Sequence, residues 1–244
     1  MNPILNLIKG ELVVSCQALE HEPLHGAANM ALMARAAKEG GAKAIRANGA
    51  ADIRAIKQET GLPVIGLIKR DYDDSEVYIT PTKRELDELL EAGADMIALD
   101  ATRRARPGGE TLEQLIAYMQ EKGTCIMADI STIEEALYAA ELGVDVISTT
   151  LSGYTPHSRQ EKGPDFELMQ QAVAQCGIPV VAEGKIFAPG EARRAMELGC
   201  YAVVVGSAIT RPQIITSNYV DAITNLGAER DVKSDTEFKC SSSY

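Results

Sequence analysis

The chain has 244 residues, 45% of them hydrophobic, and a net charge of −11. This length suits one large core and is typical of a single-domain α/β barrel. The acidic balance has no basic stripe to offset it, which argues against nucleic acid or an anionic membrane surface as a partner. We see no signal-peptide pattern and no apolar run of membrane-spanning length.

Helix ends recur along the chain at a regular spacing. Four of them place a glycine two residues after a glutamate, just before a short apolar run, at residues 39–42, 91–94, 141–144 and 197–200. Three further glycine joints lie between them, at residues 61–64, 123–126 and 177–180. Seven joints and a first strand predict eight strands, and therefore a closed (β/α)8 barrel in one domain, residues 1–226. An open doubly wound sheet usually has a glycine-rich loop after its first strand, where this chain has Ser15-Cys16-Gln17.

The predicted elements begin with a short amphipathic helix at residues 2–9, which we expect to cover the barrel floor. Strands are predicted at residues 12–16, 43–46, 64–69, 96–99, 125–128, 146–148, 179–182 and 202–205. Ser131 with Glu134, and Thr82 with Glu85, fit helix capping boxes. A last amphipathic helix is expected at residues 217–225, followed by a polar, poorly ordered tail at 227–244.

Most of the predicted strands consist of apolar residues and are followed by a polar side chain. These side chains are Gln17, Arg46, Lys69, Asp100, Asp129, Thr149 with Thr150, and Glu183. The carboxyl ends of the strands meet at the face where barrels of this kind place their active sites, so a ring of functional groups is predicted there. Asp100 could instead have a structural role, because the arginines that follow it could simply pair with it.

Lys69 has a position suited to acid–base chemistry. It ends the third strand on the same face as Ile65 and Leu67. Burial at the barrel mouth disfavours the charged ammonium, so a neutral amine there could take up a proton. The usual alternative for a lysine is extension into solvent. Asp129 and Glu183 at other strand ends favour the chemical role.

Residues 179–210 are predicted to bind a phosphate. The seventh and eighth strands both end in glycine, Gly184 and Gly206, followed by Lys185 and Ser207. The loops after the last two strands of such barrels commonly hold a substrate phosphate, against backbone N–H groups. Either glycine alone could simply form a tight turn. Two in register, followed by lysine and serine, favour the anion site.

The five cysteines are scattered without CxxC spacing, at positions 16, 125, 176, 200 and 240. An odd number without a framework is typical of free thiols in a reducing cytosol, so a cytoplasmic protein is predicted. His21 and His25 do not form a metal-binding pattern, and no metal site is expected.

Six segments, in family order, are similar to the N-acetylmannosamine-6-phosphate 2-epimerase family. They are residues 45–49 (IRANG), 66–70 (GLIKR), 99–102 (LDAT) with 106–107 (RP), 128–131 (ADIS), 149–155 (TTLSGYT) and 182–186 (AEGKI). The match runs from about Leu12 into the last helix. The resemblance implies a cofactor-independent barrel isomerase of sialic acid breakdown. Such an enzyme interconverts N-acetylmannosamine 6-phosphate and N-acetylglucosamine 6-phosphate.

The resemblance also implies roles for individual residues. Lys69 would be the acid/base at C2, and Glu183 would help to open the sugar ring. Asp129 would hold the N-acetyl group, while Gln17 and Arg46 would orient the substrate around its carbonyl. The phosphate would lie against Gly184, Lys185, Gly206 and Ser207, with Arg211 closing over it. A homodimer through the last helix is implied as well.

Two other functions remain open at this point. A phosphosugar lyase or aldolase would use Lys69 as a Schiff-base nucleophile. A non-catalytic sugar-phosphate sensor would need the phosphate glycines but not Lys69, Asp129 and Glu183, whose presence counts against it. Inversion at C2 also has two routes, with Lys69 acting alone on a substrate that rotates or with Glu183 as the opposite acid.

Overall fold

The protein folds as a closed barrel of eight parallel strands, each paired with its neighbours in chain order, in a computed structural model that describes residues 2–224. The predicted (β/α)8 barrel is confirmed. The strands are β1 (Leu12–Cys16), β2 (Ala44–Asn48), β3 (Val64–Leu67), β4 (Met96–Asp100), β5 (Ile126–Asp129), β6 (Val146–Ser148), β7 (Val180–Ala182) and β8 (Ala202–Val205).

Helices alternate with the strands around the barrel. They are α1 (Pro3–Ile8), α2 (Ala27–Glu39), α3 (Ala50–Thr60), α4 (Lys83–Ala92), α5 (Leu112–Glu121), α6 (Ile133–Glu141), α7 (Phe166–Gln175), α8 (Pro189–Glu197), α9 (Ser207–Thr210) and α10 (Pro212–Thr224). Among the helices of residues 2–224, none combines the length and hydropathy that a membrane crossing requires.

Alternate residues of each strand face the barrel interior and the surrounding helices. In β3, Ile65 and Leu67 pack in the interior, whereas Val64 and the following Ile68 pack outward with the helices. This alternation puts the next residue, Lys69, on the interior side at the mouth. Period-two patterning therefore decides which strand-end side chains enter the candidate site.

The floor of the barrel is covered by α1, as the sequence predicts. Its buried residues Ile4, Leu5 and Ile8 join the same interior cluster as the strand side chains. The hydroxyl of Tyr201 donates to the Leu5 carbonyl at 3.0 Å, which ties the helix to the start of β8. The opposite end of the barrel is left as the open mouth.

Several boundaries differ from the sequence predictions, and the end of β3 and the start of α10 are two of them. β3 ends at Leu67, because the chain enters a hairpin in which Lys69 and Ile79 form an isolated antiparallel bridge. The last helix, α10, begins at Pro212, a residue favoured at the first helical position. The predicted tail at residues 227–244 lies outside the described residues.

One predicted capping box is shifted by one residue. Thr132 caps α6 with Glu135, in place of the predicted Ser131 with Glu134. Both pairs fit the motif, but Ser131 instead donates its backbone N–H and its hydroxyl to the Glu135 carboxylate, each at 2.8 Å. The predicted Thr82–Glu85 box is confirmed at the start of α4.

Candidate active site

Arg46 is the centre of a polar cluster inside the barrel mouth. It projects inward from β2, and its side chain is only 1% exposed. Its Nη2 donates to Asp129 Oδ2 at the end of β5 at 2.5 Å, and its Nη1 donates to Glu183 Oε2 after β7. One guanidinium therefore joins three separated strand ends, and the predicted ring is present at these positions.

Two hydroxyls complete this cluster. Thr150 accepts from Arg46 Nη1 at 3.0 Å and donates to Asp129 Oδ1 at 2.7 Å. Ser148 donates to Glu183 Oε2 at 3.3 Å. Arg46 Nε is buried without a hydrogen-bond partner among the described residues. A substrate oxygen that reached Nε would satisfy this donor.

Burial and charge act against each other in the cluster. Burial lowers the pKa of Arg46, but the adjacent carboxylates of Asp129 and Glu183 outweigh it, so this pKa is raised and the guanidinium stays charged. Burial raises the pKa of Asp129 to about 6, helped by Glu183 and opposed by Arg46. Asp129 can therefore take up a proton at a mildly acidic pH while Arg46 beside it stays charged.

Lys69 lies at the same mouth, directly beyond β3. Its half-buried side chain follows the inward-facing Ile65 and Leu67. Its backbone N–H donates to Asn48 Oδ1 at the end of β2 at 2.8 Å, which fixes the backbone on one side. The bridge to Ile79 fixes it on the other side. A lysine in this position can deliver its amine toward the space above the interior cluster.

The backbone of Glu183 is held by Thr149, which is 1% exposed. The Thr149 hydroxyl accepts from the Glu183 N–H at 3.1 Å and donates to the Glu183 carbonyl at 2.8 Å. The threonine therefore replaces part of the strand ladder just where β7 ends, and it orients the carboxylate toward Arg46.

The segment after β7 turns sharply at Gly184 and Lys185, which both have positive φ, 102° and 54°. Lys185 Nζ donates to the Glu161 carbonyl at 2.7 Å, in the long loop between β6 and α7. Its side chain crosses Gly153, where an added Cβ would meet Nζ at 2.3 Å. The structure thus connects Lys185 to this loop.

The segment after β8 packs on the end of β1. A Cβ on Gly206 would approach Ser15 Cβ at 3.3 Å, and Gln17 Nε2 donates to Ser15 Oγ at 2.7 Å. Arg211 Nη1 donates to Ser207 Oγ at 3.1 Å, so these two predicted phosphate ligands lie together. Arg211 Nε also pairs with Glu22 at 2.9 Å, which anchors the arginine to the loop after β1.

Asp100 is engaged by its own loop. It is fully buried, and its Oδ2 pairs with Arg104 Nη2 at 2.6 Å. The Arg106 guanidinium donates to the Asp100 carbonyl. The local pairing suggested by the sequence is therefore present. Across residues 2–224, no three His, Cys, Asp or Glu side chains are grouped to hold a metal ion.

Comparison with known proteins identifies the family to which the chain belongs. The family model described as "Putative N-acetylmannosamine-6-phosphate epimerase" matches residues 30–225. The chain belongs to the N-acetylmannosamine-6-phosphate epimerase family. The matched residues contain Arg46, Lys69, Asp129 and Glu183.

Relatives in this epimerase family cover almost the whole chain. A protein of Clostridioides difficile named as such a 2-epimerase is 58% identical over 220 residues, 90% of this chain and 99% of that protein. One of Clostridium perfringens strain SM101 is 56% identical over 220 residues, 90% of this chain and 100% of that protein. The solved N-acetylmannosamine-6-phosphate 2-epimerase from Clostridium perfringens has a TM-score of 0.89 at 55% identity, covering 90% of this chain and 96% of that one.

Four residues shape this epimerase-family site through contacts that sequence reasoning did not predict. Asn48 and Thr149 hold the backbones of Lys69 and Glu183, Thr150 joins Arg46 to Asp129, and Glu22 pairs with Arg211. Thr149 and Thr150 carry a signal in the sequence, since they follow β6 as polar strand-end residues. Asn48 and Glu22 carry none, because their partners lie on other loops.

Proposed function

We propose that the chain interconverts N-acetylmannosamine 6-phosphate and N-acetylglucosamine 6-phosphate, as its relatives' name indicates, in the breakdown of sialic acid. Family membership supports this assignment of the substrate. The observation that carries the chemistry is the shared mouth in which Lys69 faces inward and Arg46 joins Asp129 to Glu183. A base, a fixed cation and two carboxylates suffice for proton transfer beside a carbonyl.

In this mechanism the sugar ring opens first, because the C2 proton is acidic only next to a free aldehyde. Glu183 assists the opening by proton transfer at the ring oxygen and the C1 hydroxyl. Lys69 then removes the C2 proton, and the C–H electron pair moves into an enolate whose charge lies on the C1 oxygen. Arg46, whose Nε has no hydrogen-bond partner within residues 2–224, stabilises this oxygen, and Asp129 orients the N-acetyl group.

Reprotonation of C2 on the opposite face completes the epimerisation. Lys69 can return the proton after the open-chain substrate rotates about the bond to C2, or Glu183 can deliver it from the other side. The net change in either route is inversion at one carbon. All transferred protons come from side chains or water, so we propose that the reaction uses no metal or organic cofactor.

The substrate phosphate is proposed to bind beyond the ends of β7 and β8. Gly184 and Gly206 follow these strands, and Ser207 lies beside Arg211. Lys185 would contribute a second positive charge, and Gln17 would orient the sugar from the end of β1. Fixing the phosphate holds the reacting carbon at a set distance across the mouth.

Proton NMR in D2O with EDTA tests the reaction. Incubation of N-acetylmannosamine 6-phosphate with the protein should yield N-acetylglucosamine 6-phosphate carrying deuterium at C2. Lys69→Ala should lower kcat by about 100-fold or more, the usual contribution of a general acid–base group. Lys43→Ala is the matched control, because that exposed lysine precedes β2 at the other end of the barrel.

The outcome also separates the alternatives. Borohydride reduction that traps a covalent substrate adduct on Lys69 would indicate a Schiff-base lyase or aldolase. Binding of the sugar phosphate without epimer or exchange would indicate a sensor. Either result would contradict the epimerase proposal.

We further propose a homodimer formed through α10. This helix has no buried residue, and Tyr219, Val220 and Ile223 are 70%, 51% and 68% exposed. An apolar groove of about 390 Å³ lies between α8 and the start of β1, with Leu12, Met196, Val203 and Ile209 among its lining residues. If the α10 helix of a second copy packed in this groove, both the apolar side chains of the helix and the groove would be buried.

A cytoplasmic location is proposed as well. The four cysteines within residues 2–224, at positions 16, 125, 176 and 200, are all free. Free thiols are typical of a reducing compartment. Labelling of intact cells with a thiol reagent that does not cross membranes should leave them unmodified.

A further inference from the structure

The loop between β3 and α4 contributes a strand-like segment to the barrel wall. β3 and β4 pair through two residues only, whereas β2 with β3 and β4 with β5 each pair through four. Above Gly66 the gap is occupied by Ile79 and Thr80, the returning arm of the hairpin that starts at Ile68. The barrel wall beside Lys69 therefore depends on this arm.

Thr80 forms most of the connections on both sides of the gap. Its N–H donates to the Ile68 carbonyl at 2.7 Å, and its hydroxyl accepts from the Ile68 N–H at 3.2 Å. The same hydroxyl donates to the Ala98 carbonyl of β4 at 2.7 Å. One step along, the Asp100 N–H donates to the Ile79 carbonyl at 3.0 Å. The threonine thus links β3 to β4 where their own ladder has stopped.

The backbone of Thr80 has an unusual conformation. Its φ is 45°, in the left-handed region that a β-branched residue rarely adopts, and the residue is fully buried. Glycine would accept this conformation without strain but would leave the Ile68 N–H and the Ala98 carbonyl without the hydroxyl. Strain of this kind persists where the surrounding contacts enforce it, and it is concentrated at functional sites.

The residue that these contacts immobilise is Lys69. It follows Ile68 directly, and it faces Ile79 in the antiparallel bridge closed by the Thr80–Ile68 and Arg70–Tyr78 backbone hydrogen bonds. We propose that Thr80 is a positioning residue for Lys69, which it keeps aimed into the mouth without touching the substrate. This inference rests on the proposed function, in which Lys69 is the acid/base.

The experiment compares Thr80→Val, Thr80→Ser and Thr60→Val. Valine keeps the shape of threonine and removes the hydroxyl, whereas serine keeps the hydroxyl. Thr60 is the matched control: it is buried, and its hydroxyl donates to the Ile56 carbonyl at 2.7 Å and accepts from the Leu62 N–H at 3.1 Å. It lies at the end of α3, before β3, away from the mouth.

Thr80→Val should lower kcat for N-acetylmannosamine 6-phosphate by about tenfold or more, because small displacements of a reacting group can cost up to about 100-fold. Its KM should change by less than about twofold, since the proposed phosphate contacts lie on other loops. Thr80→Ser should retain kcat within about threefold, and Thr60→Val should match the wild type. An unchanged kcat in Thr80→Val, or an equal loss in Thr60→Val, would overturn the proposal.

A second readout does not depend on turnover. Reductive methylation followed by peptide mass spectrometry measures how fast the Lys69 amine reacts in each folded variant. Thr80→Val should change this rate relative to wild type and Thr60→Val, and Thr80→Ser should restore it. An unchanged rate contradicts the positioning role. If wild type shows no epimerisation, the proposed function fails, and the labelling rate alone decides whether Thr80 positions Lys69.

Discussion

At the scale of single residues, the candidate site depends on one buried cation. Arg46 is held by Asp129 and Glu183 with Thr150 beside them, and both the arginine and Asp129 are almost fully buried. Removing such charges from water is costly, and the cost is recovered only when every partner is present. A site of this kind is rigid, and the guanidinium faces its substrate already oriented.

Arg46→Met should destabilise the fold by about 3–5 kcal/mol at pH 8, since it leaves the buried carboxylate of Asp129 and the half-buried carboxylate of Glu183 without their cation. Arg35→Met, which breaks the exposed Arg35–Glu59 pair, should cost less than about 1 kcal/mol. Urea unfolding of both variants measures the difference. Equal losses would show that the cluster contributes no more than a surface ion pair.

The loss of stability caused by Arg46→Met should also depend on pH. Without the guanidinium, the charge that opposes burial is gone, so the pKa of Asp129 rises further and its carboxyl group holds a proton more tightly in the folded state than in the unfolded state. Folding then takes up a proton, so the stability of the variant falls as pH rises. The deficit relative to wild type should be smaller at pH 5 than at pH 8. A deficit independent of pH would mean that Asp129 does not hold a proton in the folded variant.

At the scale of elements, the outer face of β3 is packed so closely that one position has no room for a side chain. A Cβ at Gly66 would meet Ala94 Cβ and Ile53 Cδ1 at 2.8 Å, and Leu89 Cδ2 at 3.0 Å. These atoms belong to α3, to α4 and to the residue that follows α4's cap. Glycine here lets two helices close over the strand that leads to Lys69.

Gly66→Ala should therefore cost about 1–3 kcal/mol through overpacking. The matched control is Gly190→Ala in α8, where the added Cβ would meet nothing within 4 Å. That change should stabilise the protein by roughly 0.5–1 kcal/mol, the helix preference for alanine. Thermal unfolding of both variants checks the signs, and a neutral Gly66→Ala would contradict the packing argument.

The same elements show which parts of the fold can be predicted from sequence. Each strand is a short apolar run after a glycine joint, and period two then assigns Arg46, Lys69 and Asp129 to the interior. The end of β3 could not be predicted, because nothing in the local sequence indicates that Thr80 adopts a positive φ. That conformation depends on the hydrogen bonds of Thr80 to Ile68 and Ala98, which lie elsewhere in the chain. The cap of α6 was ambiguous, since Ser131 and Thr132 both have a glutamate three residues later.

The site was predictable to a similar degree. Strand-end position identifies Arg46, Asp129 and Glu183 as members of one ring, since barrel closure brings the strand ends together. It does not indicate that Arg46 joins the two carboxylates, or that Thr149 holds Glu183. Those contacts depend on distances between strands far apart in sequence, which residue types alone do not determine.

At the scale of the whole molecule, the proposed dimer predicts that stability depends on protein concentration. If α10 of each copy covers the groove of the other, the thermal midpoint should rise with concentration, and sedimentation should show a dimer. Ile223→Glu should weaken association and lower the midpoint. Leu32→Glu, at a 50% exposed leucine of α2, is the control and should leave both unchanged. A wild-type monomer at micromolar concentration would contradict the proposal.

The hairpin between β3 and α4, at the edge of the barrel mouth, has one part that tolerates changes in sequence and length and one part that does not. Its base is hydrogen-bonded to β4 through the Thr80 hydroxyl and to Asn48 of β2 through the Lys69 N–H, whereas Asp73 and Asp74 at its tip are exposed. Residues inserted at the tip would extend into solvent while the base kept its register. Related enzymes can therefore diverge in loop length here, and acquire new surface contacts, without displacing the lysine beside the barrel mouth.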